Sequence, residues 1–252
     1  MRQLRLVVSL IVRALALATA MIGTVSTSAG APIDVVPSSP DLEVVDVGVT
    51  HRTALGLLEF HIRVAGTAGA TSPAARGALD GAPVLAYVFP TTIAPAQVGF
   101  GSVEGVLALA ITAHPDFDDT PLWDEDGNFV YDDDGWTFHS HWVVLGSDDR
   151  VAGGLAVIEF DPSDGSVVMP PTNPGMPLYL DSPGFPVTLE GDRVSTVVPV
   201  SHVRGSTTFS FDAVTAYLQV NTSDASLPML GVYHVYDVLS GDLSLPFEVT
   251  SR

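Results

Sequence analysis

Val106-Leu107-Ala108-Leu109-Ala110-Ile111-Thr112-Ala113 and, beyond an acidic run, Trp136-Thr137-Phe138-His139-Ser140-His141-Trp142-Val143-Val144-Leu145 are the stretches on which the fold turns. The first is apolar at nearly every position, as a strand covered on both faces would be. The second alternates. Side chains two apart on a strand share a face, so Trp136, Phe138, Trp142 and Val144 lie together, with Thr137, His139, His141 and Val143 opposite. The aromatic side is the natural core face, so the imidazoles are expected to look away from the core. The acidic run can join the two strands directly. Antiparallel pairing then places His114, at the end of the first strand, near Trp136 and His139.

Outward from this pair the same texture recurs. Leu42–Thr50, Leu55–Ala65, Pro83–Phe89, Val151–Phe160, Arg193–Val200, Thr207–Val220 and Gly231–Val238 read as further strands, separated by Gly, Pro, Asp and Ser turns. Residues 169–186 hold six prolines and read as a rigid irregular loop. No helical periodicity is convincing after the N-terminus, and no internal repeat is visible. The expected fold is all-β, an antiparallel β-sandwich of about nine or ten strands carrying an acidic insertion and a Pro-rich loop.

The N-terminus reads as a secretory signal over 1–29. Arg2 and Arg5 precede an apolar Leu6–Met21, and Thr27-Ser28-Ala29 offers small residues for cleavage. An uncleaved anchor is the alternative. Residues 30–41, with three prolines, read as an extended linker, and 42–252 as one domain. The expected setting is secreted, periplasmic or extracellular, with no membrane contact after cleavage. There is no Cys, so no disulfide stabilises the domain. The formal net charge is −19, and because 1–29 carries three Arg and no acid, the remainder stands at −22. All ten basic residues are Arg. Such a chain is a poor partner for nucleic acid or anionic membranes and a good one for cations.

Nine acids fall between Asp116 and Asp134 with no basic residue among them. Their mutual repulsion would extend the loop unless cations neutralise it. Asp124, Asp126, Asn128, Val130 (through its carbonyl) and Asp132 present oxygens at every second position, the spacing of a calcium loop, which Asp134 could close. The glycine is Gly127, and Gly135 stands where a bidentate Glu is required, so this is no EF-hand. The alternative is a solvated acidic hairpin. His114, His139 and His141, with Asp116 as fourth ligand or outer-shell acceptor, form a candidate zinc or copper site. Surface histidines without metal are the alternative.

Leu58-Glu59-Phe60-His61-Ile62-Arg63-Val64-Ala65-Gly66, and Val198–Gly205 followed by Phe209-Ser210-Phe211-Asp212-Ala213, resemble bacterial extracellular β-sandwich domains of the DOMON and carbohydrate-binding-module type. The resemblance covers the two ends of the chain and implies a sandwich that binds sugars or haem. It transfers no individual residue. The chain has no Gly-x-Ser-x-Gly elbow, no His-Glu-x-x-His and no phosphate loop. Three functions remain from the sequence: a metal-binding module, a metal-dependent enzyme with Asp116, Asp118 or Asp134 as base, and a calcium-organised surface for extracellular glycan or protein.

Overall fold

The computed structural model describes residues 35–120, 129–130 and 137–252. The expected signal segment, and residues 30–34 of the expected linker, lie outside them. The strands in chain order are β1 (Val44–Arg52), β2 (Leu57–Val64), β3 (Pro83–Pro90), β4 (Val106–Ala113), β5 (His139–Ser147), β6 (Leu155–Val157) and β7 (Leu180–Asp181). They continue with β8 (Val187–Glu190), β9 (Arg193–Pro199), β10 (Ser210–Phe211), β11 (Val214–Val220), β12 (Leu230–Val238), β13 (Phe247–Glu248) and β14 (Thr250–Ser251).

The architecture is all-β, but it is built on a closed barrel instead of a plain sandwich. Six strands run in the order β4-β3-β11-β12-β6-β5, and β5 pairs back onto β4 to close the ring. Every neighbouring pair in the ring is antiparallel. A second sheet, β14-β1-β2-β9-β8, lies beside it. Its β14 joins β1 in parallel, against the antiparallel expectation.

Closure gives the central strands two buried faces, and the sequence alternates accordingly. Leu107, Leu109 and Ile111 of β4, Tyr87 and Phe89 of β3, and Trp142 and Val144 of β5 point outward. There they meet Phe60, Ile62, Val194 and Val198 of the second sheet, with the Phe60 ring edge-on to Phe89 at 5.3 Å between centroids. This layer supplies the sandwich-like core. The other faces point into the barrel: Ala86, Ala108, Ala110, Val143, Ala216 and Leu218 among them. About eight strands make a barrel just wide enough for side chains to fill. A ring of six is narrower, which explains the alanines.

At the end of the expected linker, Ser39 and Asp41 contact the rest of the domain. Asp41 is buried, and its carboxylate accepts from Ser39 Oγ at 2.6 Å, Thr71 N at 2.8 Å and Thr71 Oγ1 at 2.9 Å. The fully buried Tyr87 hydroxyl donates to the Asp41 carbonyl and accepts from Gly69 N, both at 2.9 Å. Tyr87→Phe strands that carbonyl and that amide at once. The expected loss is about 1–3 kcal/mol, read as a lower urea midpoint at unchanged m-value.

At Gly48 on β1 an added Cβ would come within 2.5 Å of the His61 ring, its partner on β2. The imidazole therefore lies across the glycine backbone, half-buried, and burial lowers its pKa. Among the described residues no helix is long and apolar enough to cross a membrane.

Candidate metal centre

β4 and β5 pair antiparallel with Thr112 opposite His139 and Ala110 opposite His141. On this register Thr112 and His114 of one strand share a face with His139 and His141 of the other, at the end of the hairpin where the acidic run begins. That face is the inside of the barrel. The expectation that the imidazoles look away from the core is therefore corrected: His114, His139 and His141 are 1%, 5% and 2% exposed. The error has a plain cause. The aromatic face of β5 is one of two core faces, because a strand in a closed barrel has a second one.

His114, Asp119, His139 and His141 converge, with one ligand atom from each lying within 4.8 Å of all the others. His114 Nε2 is 2.9 Å from His139 Nε2. Asp119 Oδ1 is 3.3 Å from His114 Nε2 and 3.2 Å from His139 Nε2, and Asp119 Oδ2 is 3.6 Å from His141 Nε2. Zinc–ligand bonds of about 2.0–2.1 Å in a tetrahedron hold the ligand atoms about 3.3 Å apart. His114 Nε2, His139 Nε2 and Asp119 Oδ1 are already spaced as three corners of such a shell, and His141 Nε2 stands on the Oδ2 side of the same carboxylate, so the set spans up to 4.8 Å.

Hydrogen bonding on the far side of the rings decides what the near side can be. His114 Nδ1 lies 3.0 Å from the Phe117 carbonyl oxygen, and His139 Nδ1 lies 2.9 Å from the Thr137 carbonyl oxygen. Carbonyl oxygens only accept, so both Nδ1 atoms carry the proton. In the neutral rings both Nε2 atoms are then bare lone pairs, facing each other and a carboxylate oxygen. Among the described residues these three acceptors converge in a buried site, an arrangement that a cation between them would satisfy. The cation is either a proton held as imidazolium or a metal ion.

His141 completes the set. Its Nδ1 lies 3.0 Å from Ser182 Oγ, while its buried Nε2 has no hydrogen-bond partner. Burial pushes its pKa down to about 3, so the ring is neutral and ready to ligate near pH 7. Burial works against the Asp119 charge as well; positive charge on the His141 and His114 imidazoles would hold the carboxyl well below its usual range, and with those rings neutral only a bound cation supplies that support.

Pro115 and the residues after it fold the chain back, which separates three neighbouring acids. Asp116 turns out to accept from Arg76 N at 2.8 Å and Gly77 N at 2.6 Å. Asp118 accepts from Thr120 N at 2.8 Å. Asp119 alone re-enters the barrel. The Phe117 ring stacks on His114 with centroids 4.1 Å apart and planes 4° from parallel. The sequence reading therefore has the three imidazoles in the cluster, but the carboxylate beside them is Asp119 where Asp116 was expected. Nothing in a row of nine acids singles out Asp119. Ser182 comes from the Pro-rich stretch, where no side chain signalled a role. Asp116→Asn is expected to leave metal affinity within about two-fold, by direct titration, because this carboxylate faces backbone amides and not the cluster.

Of the expected calcium ligands, Asp124, Asp126, Asn128, Asp132 and Asp134 lie outside the described residues, and only Val130 is within them. Among the described residues, no group of acids without these histidines has metal-binding spacing. The chain matches no family model, no curated protein and no solved structure.

Proposed function

We propose that this chain is a secreted metal-binding β-barrel module that holds one zinc or copper ion on His114, Asp119, His139 and His141. The carrying observation is the fixed tautomer of His114 and His139. Two main-chain carbonyls take the Nδ1 protons, and the two unprotonated Nε2 atoms lie 2.9 Å apart beside a buried carboxylate. Three imidazoles and one carboxylate suit a borderline transition metal and not calcium, which takes oxygen ligands. Secretion is supported by the charged, apolar and small-residue order of the first 29 residues. Calcium on the run from Asp124 to Asp134 is supported only by its alternating oxygens.

Elemental analysis of natively purified protein tests this reading. One equivalent of zinc or copper per chain is expected, and the same measurement reads calcium independently. Protein that carries neither transition metal, and takes up neither when titrated, contradicts the site. Ser182→Ala removes the side-chain hydroxyl beside His141 Nδ1 and should weaken binding by about 10-fold, the low end of the cost of losing such an orienting group, because the Asp181 backbone also holds the ring. A competition titration against a chelator reads it.

A further inference from the structure

The metal cluster caps a chamber. His114, Asp119 and His141 form one wall of a cavity of about 70 Å³ that runs into the barrel and is otherwise lined almost wholly by aliphatic side chains. The pairing register explains why space is left there. Thr112 stands opposite both His139 and Ala86, and Ala86 stands opposite Ala216. Ala110 stands opposite His141. The levels of the barrel that carry the imidazoles thus carry alanines on the adjoining strands, where the narrow ring would otherwise be filled. Among the described residues, His141 Nε2 and the hydroxyl of Thr112, both from residues that line the chamber, are buried and without a hydrogen-bond partner.

We infer that the chamber is a binding site for a gas-sized, uncharged molecule of the dioxygen class, delivered to the inner face of the metal centre. The inference rests on the metal reading above and adds what the ion would meet. Size and lining argue for it together. Aliphatic cavities of about 150 Å³ stay free of water and take up benzene or xenon. This chamber has about half that volume, which excludes an aromatic ring and admits a molecule of two or three heavy atoms. A charged or strongly hydrated ligand would lose its water without replacement against aliphatic walls. The cluster sits at the chamber's polar end, so a molecule that enters lies against the ligand shell.

Xenon is a probe of matching size and chemistry. Saturable ¹²⁹Xe binding, followed by NMR, is expected in the metal-free protein, and Ala216→Leu should abolish it by filling the chamber. Zinc-loaded and cobalt-loaded protein are then compared. Cobalt(II) is paramagnetic and zinc is not, so bound xenon close to the ion relaxes several-fold faster in the cobalt form. This comparison uses the unsubstituted chain and holds even if Ala216→Leu does not fold. Absence of saturable xenon binding in every form overturns the inference, as does equal relaxation in the zinc and cobalt forms. Metal stoichiometry on the same samples separates the two readings. One equivalent of metal without xenon removes the chamber and leaves the metal site standing. Xenon without metal uptake removes delivery to an ion along with the metal site.

Discussion

Asp119→Asn is expected to weaken zinc binding by more than about 100-fold, above the range for losing an outer-shell group, while leaving the metal-free protein at least as stable as the parent. The two halves follow from one geometry. Asp119 Oδ1 lies 3.2–3.3 Å from His139 and His114 Nε2. With a metal bound, the carboxylate supplies the only negative charge among the described residues of the shell. Without one, it is a buried anion beside unprotonated ring nitrogens. An amide at this position donates where the carboxylate could only accept, so it relieves the metal-free cluster and cannot replace the lost charge in the loaded one. A competition titration reads the first half and thermal unfolding in chelator reads the second. If Asp119→Asn destabilises the metal-free protein by several kcal/mol, the carboxylate serves a protonated imidazole and not a metal.

The second large effect is on stability. A ligand that binds only the folded chain stabilises it by about 2.7 kcal/mol at 100 times its Kd and about 4.1 kcal/mol at 1,000 times. For a chain of this size, 1 kcal/mol moves Tm by roughly 2–4 °C. Saturating zinc should therefore raise Tm by roughly 8–16 °C when free zinc is near 1,000 times its Kd. With no Cys in the chain, no disulfide competes for this role. His141 is buried with its pKa near 3, so it needs no deprotonation near neutral pH to take part. His141→Ala removes a ligand that has no other partner on Nε2. The zinc-dependent part of Tm should largely vanish in that variant. An equal zinc shift in His141→Ala would place the ion elsewhere, the acidic run being the obvious alternative.

Local order in the chain made the hairpin and its imidazoles legible. The apolar run Val106–Ala113 and the alternation from Trp136 to Leu145 name two strands, and one connecting segment makes antiparallel pairing the simplest arrangement. His114, His139 and His141 then follow from period two. Barrel closure was not legible in the same way. It depends on β6, three residues long, which pairs with the preceding β5 and also meets β12 far away in sequence, with Ala156 opposite Gly231. A doubly apolar strand such as β3 fits a sandwich centre and a barrel wall equally well. The alanines of β3, β4 and β11 become informative only once the ring is known to have six strands.

The remaining site residues were hidden for a different reason. Asp119 differs from Asp116 and Asp118 only in where a proline-led turn points it, and a backbone direction leaves no mark in residue type. Ser182 follows a two-residue strand inside a proline-dense loop. Proline density argues against regular structure there, yet β7 still pairs with Trp142 and Val143, on a short edge where missing amide donors cost little. Asp41 shows the same limit in the opposite sense. Three prolines mark its segment as extended, and nothing in that pattern shows that its carboxylate is held by Ser39 and Thr71.

The most direct test is the coordination shell of cobalt(II) bound to the purified chain, read by X-ray absorption. Three imidazole nitrogens and one carboxylate oxygen at about 2.0–2.2 Å, as such ligands make with zinc, with one nitrogen lost in His114→Ala, are the expected result. A shell made of oxygen alone, unchanged by that substitution, would contradict the account.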